Sequence, residues 1–462
     1  MNALPVILIF DVGKTNKKVL LFNQEYKLVL EKSVQLPEAT DEDGDPCEDV
    51  ALLSNWIMEM FREISADSAY EIVAVNFSAY GASFVHLGQN DKPATPLYNY
   101  LKPFPPELRN QFYDTYGGEV TVSKQTASPV LGNLNSGLQL YRLRYQKPDT
   151  FNQIKYSLHL PQFLSYLISG NTCSDITSIG CHTCLWDFTR SGYHEWVYRE
   201  GIEAKLAPIR NGDDVVHIDL GGRRVAVGVG LHDSSAALIP YLSNFHEPFI
   251  LISTGTWCIS LNPYNQSPLT EDELKKDCLL YLAYKGNPVK ASRLFAGYEH
   301  EEQVKRLAGF FKVEVNYYKQ VAYNRNLISK LRDNPQVSGE GEAMNPGKSL
   351  FGGRDLGEFN NYEEAYHQLI SDLVQQQLLS TNLVLKDSRV KRIFVDGGFS
   401  KNPIYMHLLA VAFPDIEIFA ASVAQATAMG AALAIHRFWN KNPLPENIID
   451  LKYYTLSHDL EV

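Results

Sequence analysis

Short apolar runs open the chain at residues 6–10, 19–22 and 28–35, a pattern that predicts three strands in close succession. The period then changes. Across 49–64, Leu52, Leu53, Trp56, Ile57, Met60 and Phe61 recur at helical spacing, and a further strand is predicted at 72–77. The second half repeats the plan with strands at 249–252, 258–261 and 279–283. A long helix near 363–383 gathers Tyr366, Leu369, Ile370, Leu373, Val374 and Leu378 on one face. A strand at 393–395, a helix near 404–412, a strand at 416–419 and an Ala-rich helix at 424–438 complete it. Gly430 in that last helix allows a close approach to a neighbour or a ligand, tight packing being the simpler account.

Meander followed by helix, twice over, predicts an α/β protein of two domains, each a mixed sheet flanked by helices. At 462 residues the chain is too long for a single core. The domain boundary is expected near 240–248, dividing residues 1–243 from 244–462. Residues 93–106 form a proline-rich excursion, and 333–357, crowded with Gly, Pro and charge, reads as a surface insertion.

Charge narrows the partners. Lys and Arg total 42 against 53 Asp and Glu, and the net −11 argues against nucleic acid or an anionic membrane. No run approaches the ~20 apolar residues of a membrane span, and no basic leader precedes the first strand. Six scattered cysteines give no disulfide framework and suit a reducing compartment, so cytoplasm is the expected location. Cys181, His182 and Cys184 could be drawn as a metal or redox knuckle, but no second cysteine pair exists to complete a tetrahedral site.

Three strand–glycine–turn segments carry the candidate chemistry. The first holds Asp11, Gly13, Lys14, Thr15 and Asn16, the second Ser253, Thr254, Gly255 and Thr256, the third Asp396, Gly397 and Gly398. Such turns let backbone amides approach phosphates, and small hydroxyl residues add donors. Asp11, at the end of its strand, could hold Mg²⁺ beside Lys14, Lys17 and Lys18, or could sit in an ordinary exposed hairpin. Asp233 follows Gly230 and precedes a run of small residues; it could accept a hydroxyl proton, and an N-cap role is compatible with that. Two apparent P-loops fail on spacing, because Leu8 and Glu342 stand where the first glycine is required.

In this order, the segments resemble the FGGY carbohydrate kinases of the actin/hexokinase/sugar-kinase superfamily. Asp11, Gly13, Thr15 and Lys18 fit the family's first phosphate motif, Ser253 to Thr256 the second, Gly230 and Asp233 the catalytic loop, and Asp396 to Asn402 the adenosine motif. Asp175 to Thr177, Thr183 to Asp187 and Trp196 are similar to its mid-domain substrate loop. The resemblance implies two actin-like (ribonuclease H-like) domains with a cleft between them. It implies an ATP-dependent kinase with Mg²⁺, taking a ketose or deoxyketose of the rhamnulose, fuculose or xylulose type, with Asp233 as general base.

It further implies nucleotide contacts from Gly13, Lys14, Thr15, Asn16, Lys18, Thr254, Gly255, Thr256, Gly397, Gly398 and Asn402. Sugar contacts would come from Tyr80, Gly81, Ser83, Asn99, Tyr100, Asp175, His232 and Asp233, and metal contacts from Asp11 and Asp233. Departures fall on the sugar side: Ser83 stands where those relatives carry an acid, Asn99 and Tyr100 replace a charged pair, and the C-terminal signature is not recognisable. The expected partners are a small sugar and ATP, with a homodimer left open. Two other activities fit the same fold: a phosphatase or ATPase with Asp233 orienting water, and a nucleotide-binding sensor or chaperone-like module without sugar turnover.

Overall fold

Strand β1 (Leu4–Val12) lies inside its sheet because Val6 to Phe10 are buried without a break, leaving no position for solvent. The computed structural model describes residues 3–332, 349–386 and 388–455. Strand β2 (Lys17–Asn23) returns antiparallel to β1, setting Lys18 opposite Asp11, and β3 (Leu28–Val34) forms the edge with polar residues outward. The short β4 (Pro46–Glu48) lies outside this sheet and leads into α1 (Val50–Ala66). The Asp49 carboxylate caps α1 by accepting from the Leu52 amide, and Val50, Leu53, Ile57, Phe61 and Ile64 bury one face.

Strand β5 (Tyr70–Ala79) runs parallel to β1, and β6 (Leu97–Tyr98) pairs with β4. Then β7 (Val215–Leu220), β8 (Arg223–Gly228) and β9 (Leu231–His232) complete the order β7–β8–β5–β1–β2–β3, with β9 also beside β5. The register has one consequence for chemistry. Ser78 of β5 faces Asp11 on one side and Leu231 on the other, so Asp11 and the β9 end reach the same sheet edge. Helix α2 (Asp233–Asn244) leaves from there and carries Pro240 inside it, so the chain is still helical where the boundary was expected to open.

Between β6 and β7 the chain builds a helical lobe that the hydrophobic pattern did not disclose. Its core packs Phe112 against Tyr141 and Trp196.

The second sheet comprises β10 (Phe249–Thr254), β11 (Cys258–Asn262), β12 (Cys278–Leu282) and β13 (Pro288–Leu294), then α3 (Ala296–Phe311) and α4 (Tyr362–Leu385), which cover it. It continues through β14 (Arg392–Gly397), α5 (Pro403–Ala412), β15 (Glu417–Ser422), α6 (Ala426–Ala434) and β16 (Asp450–Tyr454), giving the order β12–β13–β11–β10–β14–β15–β16. Strands β13 and β16 and helix α3 were not anticipated. Of the expected insertion, 333–348 lie outside the described residues; the rest contains one short 3-10 turn, Phe351–Gly353, and the start of a second, Leu356–Glu358.

The expected helix at 424–438 is broken at Ile435 into α6 and a short helix His436–Trp439. The break lets His436 and Trp439 pack on Tyr26, whose hydroxyl lies 2.6 Å from His436 Nδ1. Helix α6 packs on α2, and a Cβ added at Gly430 would fall 1.8 Å from the Ala236 carbonyl. Gly430 therefore serves close helix packing. No helix among the described residues is long and apolar enough to cross a membrane.

Candidate active site

Asp11 is held between the two halves. Its Oδ2 accepts a 2.7 Å hydrogen bond from Thr427 Oγ1 on α6, and Lys18 stands across the β1–β2 pair. Burial first, then the charge of Asp233, pushes the Asp11 carboxyl above its ordinary range, against the lowering effect of Thr427 and Lys18. The turn after Asp11 is closed by a 2.9 Å bond from the Gly13 amide to the Asn16 carbonyl, with Thr15 and Asn16 exposed at its tip. Lys18 Nζ reaches Glu31 and Gln425, and Gln425 opens α6 with a left-handed φ of 53°.

Asp233 is the first residue of α2. Its Oδ1 accepts from its neighbour's amide, Ser234 N, at 2.6 Å, while His232 takes the N-cap position. The expectation of an N-cap is thereby shifted by one residue, and the Asp233 side chain is 34% exposed. His232 Nε2 lies 3.4 Å from Asp233 Oδ1 and 3.7 Å from Cys181 Sγ, and its Nδ1 is buried without a partner. Gly230 precedes them at φ 85°, against the Pro161 carbonyl, where a side chain has neither the conformation nor the space.

The expected sugar loop folds against these groups. A Cβ on Gly81 would come within 2.6 Å of the His232 ring, so the imidazole fills the space left by the missing side chain. Ser83 Oγ and Asp175 Oδ2 are both buried and unpaired. Asp175 is fully buried, and its Oδ1 accepts from Thr177 and from the Ser178 amide; burial wins, and the carboxyl is pushed up to about 6. The Tyr80 ring meets Tyr100 edge-on at 6.1 Å.

A separate cavity of about 840 Å³ opens on the second sheet, lined by Thr254, Gly255, Gly398, Phe399, Asn402 and His300 among others. Thr254 organises its floor: its Oγ1 donates to the Asp396 carbonyl and accepts from the Phe399 amide, while its own carbonyl accepts from Gly398 N. Asn402 caps α5 through the Ile404 and Tyr405 amides and donates to Tyr366 Oη at 2.9 Å.

Residues 6–235 match the N-terminal domain of the FGGY family of carbohydrate kinases, and residues 246–443 match the carbohydrate kinase FGGY C-terminal domain. The chain belongs to the FGGY family. A rhamnulokinase of Halalkalibacterium halodurans is 22% identical over 261 residues, covering 54% of this chain and 52% of that protein. One from Oceanobacillus iheyensis is 22% identical over 264 residues, 54% of each. The chain thus spans about half the length of the curated relatives it matches. A carbohydrate kinase from Novosphingobium aromaticivorans shares the fold at a TM-score of 0.78 and 22% identity, covering 98% of this chain and 95% of that one. A xylulose kinase from Lactobacillus acidophilus does so at 0.77 and 16%, covering 98% and 94%.

Within this FGGY fold the residues singled out in the sequence fall into three groups. Asp11, Gly13, Lys14, Thr15 and Lys18 share one turn and its flanks; the Asn16 side chain is turned outward to Gln35. Tyr80, Gly81, Ser83, Tyr100, Asp175, His232 and Asp233 surround the β9–α2 junction, whereas Asn99 Oδ1 accepts from the Leu101 amide in its own turn. Thr254, Gly255, Gly398 and Asn402 line the cavity, Gly397 is packed against the Thr254 carbonyl and is not part of the lining, and Thr256 is exposed, its carbonyl accepting from Tyr298 N.

Sequence reasoning missed Thr427, Glu48 and His300. Thr427 stands 416 residues from Asp11, so no local pattern could join them. All six cysteines are buried and free, and among the described residues no three His, Cys, Asp or Glu side chains gather as a metal site.

Proposed function

We propose that this protein is an ATP-dependent kinase of a ketose or deoxyketose of the rhamnulose, fuculose or xylulose type. The two units would be a sugar-binding domain at 1–243 and a nucleotide-binding domain at 244–462. The observation that carries this is the arrival of Asp11 and Asp233 at one sheet edge, beside a glycine turn flanked by Lys18. The names of the rhamnulokinase and xylulose kinase relatives support the substrate class.

Asp233 takes the proton of the attacking hydroxyl; its half-open carboxylate at the head of α2 leaves room for that contact. His232 and Asp175 offer buried polar atoms to the sugar, and Ser83 a neutral donor where a carboxylate would select different hydroxyls. The turns at Gly13 and Gly255, whose own glycine amides donate to the Asn16 and Trp257 carbonyls, would bring the Thr15 and Thr256 hydroxyls to the phosphates, and Thr254, Gly398 and Asn402 line the nucleoside pocket. The residues present suit the metal: Asp11 and Asp233 are hard oxygen donors that arrive at one sheet edge. Asp11 and Asp233 would hold Mg²⁺, which when bound neutralises phosphate charge.

The test is ATP-coupled turnover over a panel of ketoses, with wild type and Asp233→Asn. One ketose should stand out, and the variant should lose about 10²–10⁴-fold in kcat. ATP hydrolysis indifferent to every ketose, or near-wild-type turnover in Asp233→Asn, would refute the assignment.

A further inference from the structure

Glu48 is buried at 5% exposure and has no place in the roles assigned above. Two segments converge on its carboxylate. Tyr80 of the sugar loop donates to Oε2 at 2.6 Å. Lys17, itself buried, pairs with Oε1, and Lys14 Nζ lies 3.8 Å from Oε2. Lys17 Nζ also donates to the Lys14 carbonyl at 2.9 Å, so the carboxylate grips the backbone of the phosphate turn through a lysine. On its other side Glu48 pairs through β4 with Leu97 of β6, two residues before Asn99.

A buried carboxylate is costly unless each lone pair is engaged. Lys17 alone would neutralise this one. The Tyr80 hydroxyl adds a link that neutralisation does not require, and it joins the sugar loop to the phosphate turn by a continuous path from Tyr80 Oη through Glu48 and Lys17 to the Lys14 carbonyl. Burial, and then the Glu48 charge, pushes the Tyr80 phenol well above its ordinary range, so it stays a donor.

We infer that Glu48 is a positioning residue that ties the phosphate turn to the sugar loop, so that occupancy of either site strengthens binding at the other. This rests on the kinase assignment for the identity of the two ligands. Coupling between binding sites is reciprocal, so a change confined to the sugar loop must reach the nucleotide.

Calorimetry of Mg·ATP binding to the full chain tests it, with the thermal midpoint of each variant recorded alongside. Tyr80→Phe removes only the hydroxyl, and should weaken Mg·ATP about five-fold or more while the turn keeps all its residues. In wild type the best ketose of the panel should tighten Mg·ATP; in Tyr80→Phe that gain should vanish. The double variant Glu48→Gln/Lys17→Met replaces the ion pair with a neutral one of similar size and should lose the same gain, so an unstable single substitution does not block the test. A Tyr80→Phe protein with wild-type Mg·ATP affinity and only a raised sugar KM overturns the relay. Wild type that binds Mg·ATP but phosphorylates no ketose refutes the kinase assignment instead, and the relay is then decided on the Tyr80→Phe affinity alone.

Discussion

Asp175 shows how much one buried oxygen decides. Its folded carboxyl is raised to about 6 from 3.8, so the folded state holds an extra proton between those values. The stabilisation is fully present below pH 3.8 and is lost as pH rises through about 6. By neutral pH the ionised, half-satisfied group costs roughly 3 kcal/mol. Asp175→Asn should therefore be more stable than wild type in chemical denaturation at pH 7, the advantage shrinking towards pH 4, while sugar KM rises. An advantage that does not vary with pH would mean the carboxyl titrates normally.

The two adjacent glycines divide differently from what the sequence implied. Gly397 sits at φ 94° with the Thr254 carbonyl 2.0 Å from where a Cβ would be, so it needs glycine for the protein's own backbone. An added Cβ at Gly398 meets nothing within 4 Å, and Gly398 lines the cavity. Gly397→Ala is expected to destabilise by about 1–3 kcal/mol. Gly398→Val should keep its melting temperature and raise the KM for ATP above that for sugar; a selective effect on sugar would move the nucleotide elsewhere. Composition made both glycines conspicuous, but only the packing separates them.

Among elements, α5 carries the clearest double duty. Asn402 caps it through two amides and also turns its Nδ2 to the buried Tyr366. Asn402→Asp keeps the capping oxygen and loses the donor, so stability should hold within about 0.5 kcal/mol while ATP KM rises. Asn402→Ala should lose about 1 kcal/mol as well. Equal stability loss in both would assign Asn402 to the Tyr366 contact rather than to the cap.

Elements with one consistent period were legible: β1, β2, α1, β10, β14 and α5 lie where the apolar pattern set them. The helical lobe was not, because its short helices expose several faces to one another and none carries a long single stripe. The break at Ile435 was invisible for another reason: it serves contacts with Tyr26, far away in the chain. The turns that carry Asp11 and Asp233 were legible as turns, whereas Glu48 was hidden in an acidic stretch that looks like ordinary surface.

At the scale of the molecule, α6 is one of the pieces through which the halves touch, contacting α2, β1 and β5. Gly430→Ala places a methyl into the Ala236 carbonyl and should cost about 1–3 kcal/mol or more, since neither helix can retreat without moving the core beneath it. Because Thr427 on the same helix holds Asp11, turnover should fall further than the loss of folded protein explains. Turnover that tracks the folded fraction, measured by chemical denaturation beside the kinase assay, would confine α6 to packing.

The junction at Gly430 has main chain facing main chain, with no side chain between. Such a bearing depends on the count of the residues that lead into it as well as on their identity. One inserted residue between Gln425 and Gly430 would rotate the helix by about 100° and bring a neighbour's side chain into the gap. What a lineage must inherit here is a length.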